Sequence, residues 1–285
     1  MTDFRYAVSA WIWQGDPALN NYGFIEKASE LGYDGVEIPT FDGNIDPAVI
    51  KEKLSALDKN LEVIIVGGGS SDMDISSGDE KARERGLEYI TKLVDRASTS
   101  GSSLVCGPLY SAVGRALFLA QDERERVLKR TAQYMKRAAM HAADLNVDIA
   151  LEPLCRYDSY LINTAVQMKS FLDIVDSDNV GILLDTFHMN IEERSMDNAI
   201  SESGAKFTHF QVCENDRGVP GRGHLDWKSI SNSVRKAGYR GWISLESFTP
   251  YERVFSAMMR SWRPLETSQD MFASEGLRFL KKTFR

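Results

Sequence analysis

Three short apolar runs of this sequence each end in an acidic residue. One run leads into Asp185, with His188 three residues further on, and the other two lead into Glu152 and Glu246. A carboxylate at the end of a buried strand needs a partner, because burying an unpaired charge costs free energy. One such acid alone is equally well explained by a buried hydrogen bond or a surface ion pair. Three at matching positions favour a shared site, most simply a divalent metal ion with catalytic carboxylates around it.

The hydrophobic pattern predicts the elements that carry these acids. Eight short runs are aliphatic or β-branched on both faces, as strands buried on both sides should be. These predicted strands cover residues 6–10, 35–38, 61–66, 104–107, 148–152, 181–185, 207–212 and 242–246. Amphipathic segments between them predict helices over residues 21–31, 47–57, 79–100, 121–145, 165–175, 227–237 and 268–282.

This alternation predicts an α/β fold, a single (β/α)8 TIM barrel that spans residues 1–285 as one domain. A doubly wound open sheet is the alternative, and it would need a glycine-rich phosphate turn after an early strand. The run Gly67-Gly68-Gly69 lacks the required GxGxxG spacing, and no linker-like segment divides the chain.

The barrel prediction places the three acids together. Barrel enzymes react at the C-terminal ends of their strands, so Glu152, Asp185 and Glu246 would point into one mouth. Strand seven adds Gln211, which lies on the same face as His209 because strand side chains alternate with period two. Three carboxylates and an amide oxygen form a hard-oxygen environment. It suits Mn²⁺, Mg²⁺ or Co²⁺ better than structural zinc, which favours sulfur and imidazole.

The ten residues from Leu184 to Glu193, Leu-Asp-Thr-Phe-His-Met-Asn-Ile-Glu-Glu, carry a family resemblance. They resemble the signature of the D-tagatose/D-psicose (allulose) 3-epimerases, which belong to the xylose-isomerase-like TIM barrels. The resemblance spans most of the predicted barrel and is densest from strand five onward. Further matching segments are Leu151-Glu152-Pro153-Leu154 with Arg156, Leu161-Ile162-Asn163-Thr164, Arg217 with Val219-Pro220-Gly221-Arg222-Gly223, Leu245-Glu246-Ser247-Phe248, and Trp262-Arg263.

The resemblance implies a metal-dependent isomerase that acts on a small-molecule sugar. It implies that Mn²⁺ or Co²⁺ is held by the residues at the family's ligand positions, Glu152, Asp185, Gln211 and Glu246. It also implies substrate contacts from Asp158, His188 and Arg217. The expected reaction is C3 epimerisation of a ketose through a metal-stabilised cis-enediolate. Glu152 and Glu246 would be the catalytic pair on opposite faces of the substrate, because a single base would usually return the proton to the face it left.

Three departures from the family pattern mean that the sequence is compatible with more than one substrate. Gln211 stands where the 3-epimerases usually have a histidine ligand, Asp158 replaces a glutamate, and Val113 stands where D-psicose epimerases have a tryptophan. Enediolate chemistry on a 3-keto-glycoside is therefore an alternative, as is a hydroxypyruvate-isomerase-like aldose–ketose isomerisation. A catalytically silent sugar-binding barrel is the alternative of another class. A barrel nuclease of the endonuclease IV type is disfavoured, because its zinc cluster needs several histidines and this chain has only four.

Composition limits the classes of binding partner and the cellular compartment that are expected. The formal net charge of −7 disfavours a generic nucleic-acid or anionic-membrane surface. Three cysteines without CxxC spacing favour a reduced protein. The first residues lack the apolar core of a signal peptide, and no apolar run reaches the roughly 18 residues of a membrane span. We therefore expect a cytoplasmic protein, and the family resemblance suggests a homo-oligomer, a dimer or a tetramer.

Overall fold

The computed structural model describes residues 4–16 and 19–285. Eight parallel strands pair in chain order, and the last pairs with the first to close a barrel. The prediction of a (β/α)8 TIM barrel is thereby confirmed. The strands are β1 (Arg5–Ser9), β2 (Gly35–Thr40), β3 (Glu62–Gly67), β4 (Leu104–Gly107), β5 (Asp148–Leu151), β6 (Val180–Asp185), β7 (Phe207–Val212) and β8 (Trp242–Leu245).

Ten α-helices lie in the described residues and cover the barrel or follow its strands. They are α1 (Phe24–Leu31), α2 (Pro47–Ser55), α3 (Glu80–Ser100), α4 (Gln121–Asp144), α5 (Ala165–Val175), α6 (Thr186–Glu192), α7 (Met196–Ser203), α8 (Trp227–Lys236), α9 (Arg253–Met258) and α10 (Gln269–Thr283). Three short 3₁₀ helices cover Ala10–Ile12, Leu19–Tyr22 and Gly204–Lys206. No helix among the described residues is both long and apolar enough to cross a membrane.

Helix ends follow the local chemistry of the sequence. Asp46 accepts hydrogen bonds from the backbone of the first turn of α2, and Pro47 fills the first helical position, where no amide hydrogen is needed. Thr164 and Gln167 form a capping box at the start of α5. Gly32 ends α1 in the left-handed conformation, with φ of 87°, which glycine adopts without steric cost.

Three helices were not predicted from the sequence. The helix α6 begins directly after the last residue of β6, so no polar turn separates the strand pattern from the helix pattern. The helices α7 and α9 have only eight and six residues, too few for a clear amphipathic period. The start of α7 is marked locally, since the Ser195 hydroxyl accepts from the Asn198 backbone at 3.3 Å.

Six of the eight strands contribute apolar residues to the barrel interior. Its buried apolar residues are Ala7, Ile64, Val66, Leu104, Cys106, Ala150, Leu183 and Trp242. The strands β2 and β7 contribute none of these, because their inward positions hold Glu37, His209 and Gln211, all at most 1% exposed. Such buried polar groups require hydrogen-bond partners, and they lie directly below the mouth of the barrel.

A register shift between β6 and β7 aligns two residues at the mouth. The shift falls between Ile182 and Leu183, and beyond it Asp185 lies opposite Gln211. Gly181 is required just before the shift, because a Cβ atom there would overlap the side chain of Thr208.

Candidate active site

Three buried carboxylates lie at strand ends on one side of the barrel mouth. Asp185 is the last residue of β6, while Glu152 and Glu246 directly follow β5 and β8. They are 1%, 5% and 4% exposed, respectively. Gln211, near the end of β7, completes a row of four oxygen-bearing side chains on four consecutive strands. The structure thus brings together the four residues that the sequence analysis assigned to a metal.

Arg217 binds two of these carboxylates. Its Nη1 donates to Asp185 Oδ2 at 2.6 Å and to Glu246 Oε2 at 2.8 Å. The guanidinium also lies over two aromatic rings, 4.2 Å from the centroid of Phe187 and 5.0 Å from that of Phe248. A planar cation stacked between rings is held in one orientation, so its remaining N–H groups point in fixed directions.

The loop after β7 holds Arg217 in place. Arg217 itself has φ of 67°, a left-handed conformation that is uncommon for a side-chain-bearing residue. The backbone turns there because Arg217 N donates to Glu214 O at 3.0 Å and Glu214 N donates to Gly218 O at 2.9 Å. The Glu214 carboxylate accepts from the Trp227 ring and two backbone amides of the same loop. Ser247 Oγ donates to Arg217 O at 2.8 Å and ties the loop to the end of β8.

His188 lies between two hydrogen-bond donors at the mouth. Cys155 N donates to His188 Nδ1 at 3.1 Å, and Arg217 Nη2 lies 3.2 Å from Nε2. A neutral imidazole accepts at only one of its two nitrogens, so these two contacts compete for the ring. Burial lowers the pKa of His188 to about 4, against the attraction of Asp185, and the ring is neutral near pH 7. His188 Nε2 lies 3.5 Å from Glu152 Oε1. The ring is therefore a neutral hydrogen-bonding group between Arg217 and a buried carboxyl group.

The carboxylates of the mouth have unequal proton affinities. Burial raises the pKa of Glu152 well above its usual value, and repulsion from Asp185 and Glu246 raises it further. Burial also raises the pKa of Glu246, against the attraction of Arg217. Burial acts in the same direction on Asp185, but Arg217 and His188 outweigh it and hold its pKa below the usual value. The mouth thus combines two carboxyl groups that readily hold a proton with one that stays ionised.

The amide nitrogen of Gln211 has a hydrogen-bond partner among the described residues, but the amide oxygen has none. Its Nε2 donates to Glu37 Oε2 at 3.0 Å, while Oε1 is buried without a hydrogen-bond partner in the described part of the chain. Leaving a buried acceptor unpaired costs about 1–3 kcal/mol. A cation among the surrounding carboxylates would remove that cost. Because Glu152, Asp185 and His188 also offer ligand atoms within 4.8 Å of one another, the residues present fit a divalent metal ion.

Asp158 lies beside this group at the rim of the mouth. Its Oδ2 accepts from Cys155 Sγ at 3.3 Å, and Arg260 Nη1 lies 3.4 Å from Oδ1. Cys155, Asp158 and His188 have potential ligand atoms within 4.8 Å of one another. The Asp158 backbone carbonyl accepts from Gly114 N at 2.7 Å, which joins the loops after β4 and β5.

The loop after β4 leaves one side chain open to solvent. Val113 is 45% exposed, and its backbone N donates to Gly69 O at 3.0 Å. On the other side of the barrel end, Trp11 is nearly buried and stacks on Phe41 at 5.2 Å between centroids. The aromatic contacts of Trp11 are thus with other side chains of the protein, including Phe248 and Phe255.

Sequence reasoning missed two contacts that shape the site. The backbone N–H of Cys155 donates to His188 Nδ1, and no side-chain pattern indicates such a bond. Glu214 builds the loop that carries Arg217. Its position two residues after the end of β7 was a signal that could have identified it, because acids also follow β5 and β8. Glu37 was recognisable from the sequence as an acid inside the buried run Val36-Glu37-Ile38 that could reach the mouth or lie in an ion pair.

Comparison with known families identifies the relationship. The family described as xylose isomerase-like TIM barrel matches residues 25–283. The chain belongs to this family. The resemblance inferred from the motif around Asp185 is thereby confirmed at the level of the superfamily.

Individual relatives of this TIM barrel are sugar epimerases. The L-ribulose 3-epimerase of Methylomonas sp. (strain DH-1) is 32% identical over 284 residues, 98% of this chain and 98% of that protein. The D-psicose 3-epimerase of Ruminiclostridium cellulolyticum is 30% identical over 271 residues, 93% of this chain and 91% of that protein. The crystal structure of D-allulose 3-epimerase from Methylomonas sp. in complex with D-allulose superposes with a TM-score of 0.91 at 31% identity. It covers 99% of this chain and 98% of that chain. These similarities confirm the predicted relationship to ketose 3-epimerases, which are enzymes of the isomerase class.

Proposed function

We propose that this TIM barrel is a ketose 3-epimerase that depends on a divalent metal ion, Mn²⁺ or otherwise Co²⁺ or Mg²⁺. The observation that carries the proposal is the pair of buried glutamates, Glu152 and Glu246, at the two ends of a row that also contains Asp185 and Gln211. The binding of a sugar alone would not need two carboxyl groups with raised pKa values on either side of the site. Epimerisation needs both.

The four oxygen-bearing side chains of Glu152, Asp185, Gln211 and Glu246 would hold the metal ion. The orphaned Oε1 of Gln211 supports this ligand set, as do the ligand atoms of Glu152 and Asp185, which lie within 4.8 Å of each other. Glu246 is linked to Asp185 through Arg217 Nη1, which binds both. Bound there, the ion would act as a Lewis acid that stabilises negative charge on the sugar oxygens next to the reacting carbon.

Proton transfer is assigned to the two glutamates. Glu152 and Glu246 lie on strands β5 and β8, with two strands between them, so a sugar bound in the mouth has one carboxyl group on each side. One glutamate in its ionised form takes the C3 proton, and the other in its protonated form delivers a proton to the opposite face. In the metal-free protein, burial raises the pKa values of both glutamates, so each carboxyl group can hold a proton before the ion binds.

Two further residues stabilise the charge that develops on the substrate oxygens. The neutral His188 ring would donate through Nε2–H in the tautomer whose Nδ1 accepts from Cys155 N. The cationic Arg217 would donate through Nη2, which lies 3.2 Å from His188 Nε2 while Nη1 binds Asp185 and Glu246. Asp158, next to His188, would accept a hydrogen bond from a sugar hydroxyl. These roles agree with the substrate contacts expected from the family resemblance.

A substrate screen with metal control tests the proposal. The purified protein is treated with EDTA, reloaded with Mn²⁺, Co²⁺ or Mg²⁺, and supplied with L-ribulose, D-psicose, D-tagatose or hydroxypyruvate in D₂O. Deuterium should appear at C3 of a ketose together with its C3 epimer, and EDTA should abolish both signals. Turnover that persists without metal would contradict the metal site, and an absence of exchange with every ketose would contradict the epimerase.

A 3-keto-glycoside is the second candidate substrate. Val113 is 45% exposed, so this side chain does not close the mouth on the side of the loop after β4. An open wall could accept the second unit of a glycoside. Adding a 3-keto-glycoside to the same screen decides between the two, since the better substrate has the higher kcat/KM.

We also propose a homo-oligomer, a dimer or a tetramer, in a reducing cytoplasmic compartment. Large apolar side chains are strongly exposed at Phe118 and Trp262, at 93% and 73%, which supports a covered surface in an assembly. All three cysteines are buried and unpaired, as expected in a reducing compartment. Light scattering coupled to size-exclusion chromatography measures the assembly directly, and a monomeric mass would contradict it.

A further inference from the structure

We propose that Glu37 is a positioning residue for the metal site, and that its carboxylate turns the oxygen of the Gln211 amide toward the mouth. The inference rests on the proposed function, because it takes Gln211 as a metal ligand. Glu37 itself contacts neither the metal nor the sugar. It acts through the amide that it holds.

The contact crosses the interior of the barrel. Glu37 lies in the middle of β2 and Gln211 near the end of β7, and the strands β1 and β8 separate them in the sheet. Glu37 is 0% exposed and Gln211 is 1% exposed. Glu37 Oε2 accepts from Gln211 Nε2 at 3.0 Å, and Glu37 Oε1 lies 2.7 Å from His209 Nε2. The three side chains form one hydrogen-bonded chain in a surrounding that is otherwise largely apolar.

An amide ligand needs such a partner, because its two ends have nearly the same shape and opposite polarity. Only the oxygen can bind a cation, and an N–H end turned toward the metal would oppose binding. A carboxylate has no hydrogen to donate when ionised, so Glu37 accepts from the amide nitrogen and leaves the oxygen free. Gln211 Oε1 has no hydrogen-bond partner in the described residues, as expected of a ligand atom reserved for a cation.

His209 determines which oxygen of Glu37 is available to Gln211. Its Nε2–H donates to one oxygen of Glu37, so the other oxygen remains for Gln211. In a Glu37→Gln protein, the new amide would offer its oxygen to His209 and its N–H groups to Gln211. The Gln211 amide would then turn its oxygen away from the mouth. Changing both residues, Glu37→Gln with Gln211→Glu, restores every hydrogen bond of the chain and again presents an oxygen to the metal.

The alternative interpretation of Glu37 and His209 is that they form a separate metal site. Glu37, Cys106 and His209 have potential ligand atoms within 4.8 Å of one another. Both Glu37 oxygens, however, already lie within hydrogen-bond distance of N–H groups. The number of bound ions distinguishes the two uses, because a positioning role changes the affinity of the site at the mouth and leaves the stoichiometry at one.

The test is a Mn²⁺ titration that needs no turnover. Electron paramagnetic resonance of free Mn²⁺ gives affinity and stoichiometry for the parent protein and its variants, with circular dichroism as a check on folding. Glu37→Gln should weaken binding by about 10–100-fold, the usual effect of losing a residue that orients a ligand. The double variant should return the affinity to near the parental value, which a merely structural role of Glu37 would not predict. Ser244→Ala is the matched control, because Ser244 lies beside Gln211 in the barrel interior and its Oγ has no partner in the described residues.

Glu37→Asp provides a second variant if Glu37→Gln does not fold. It keeps the negative charge but is one methylene too short to reach Gln211, so it should also weaken Mn²⁺ binding. The inference is overturned if the folded variant binds one Mn²⁺ as tightly as the parent, or if it loses a second ion while the first is bound unchanged. If the parent binds no Mn²⁺ at all, the proposed metal site fails and this inference fails with it.

Discussion

Replacing Arg217 with methionine should destabilise the metal-free protein strongly. The Arg217 side chain is 14% exposed and binds Asp185 and Glu246 at once. At an effective dielectric constant of about 20, each pair of unit charges about 4 Å apart contributes about 4 kcal/mol. Desolvation of the guanidinium offsets part of this gain. Removing one partner from a buried ion pair therefore costs about 3–5 kcal/mol, because the other charges are left unpaired.

The assay is thermal unfolding with EDTA and with saturating Mn²⁺. For a chain of this size, a loss of about 3–5 kcal/mol lowers Tm by about 6–20 °C. The loss should be less than half as large with Mn²⁺ bound, because the ion supplies positive charge to the same carboxylates. Arg222→Met is the matched control on the same loop. Its side chain is 48% exposed and pairs with Glu266, and such an exposed pair contributes only about 0–1 kcal/mol.

The pH dependence of the Arg217→Met effect follows from the same carboxylates. Without the guanidinium, the pKa of Asp185 in the folded protein should rise above its value in the unfolded chain, and the pKa of Glu246, which burial already raises, should rise further. The folded state then binds more protons above the unfolded-state pKa values, so the loss of stability should grow as the pH rises from about 5 to 8. An equal loss of Tm with EDTA and with Mn²⁺, or a loss no larger than that of Arg222→Met, would refute the reasoning.

Replacing Gln211 with histidine should raise the affinity for Co²⁺ and Zn²⁺ relative to Mn²⁺, since a nitrogen ligand suits the softer ions. An unchanged preference in competitive titration counts against ligation by this residue. Binding of Mn²⁺ should release protons and tighten as the pH rises toward neutrality, because burial raises the pKa values of Glu152 and Glu246. Calorimetry in buffers of different ionisation enthalpy measures this release, and an affinity independent of pH would contradict it. Gly181→Ala should cost about 1–3 kcal/mol, because the new Cβ would overlap a side chain of β7. Gly78→Ala, with no atom near the new Cβ, should stay within about 0.5 kcal/mol, and equal urea midpoints for the two variants would contradict the close packing of β6 on β7.

The strands could be predicted from the sequence because burial on both faces leaves a strong local signal. The predicted strands 104–107 and 207–212 coincide with β4 and β7, and the other six differ by one or two residues at an end. The long helices were predictable from their amphipathic period and caps. The short helices α6, α7 and α9 were not, because tertiary packing and single caps hold them rather than an extended pattern.

The composition of the mouth was predictable, but its internal bonds were not. Acids at strand ends can be read along the chain, so Glu152, Asp185 and Glu246 were identified before the fold was known. The contact between Glu37 and Gln211 joins residues 174 positions apart and depends on which strands face each other across the barrel. The neutral state of His188 near pH 7 depends on its burial by residues distant in sequence. Such contacts arise from three-dimensional closure, which no local pattern encodes.

The most direct test of the central claim compares Glu152→Gln and Glu246→Gln in D₂O by NMR, with Mn²⁺ binding measured in parallel. Each change keeps an oxygen for the metal but removes a proton acceptor, so metal should stay bound while epimerisation falls by about 10²–10⁴-fold. Each variant should retain exchange at C3 only for the epimer presented to its remaining glutamate. If both variants bind metal and epimerise a ketose at near-parental rates, the two-glutamate mechanism is wrong.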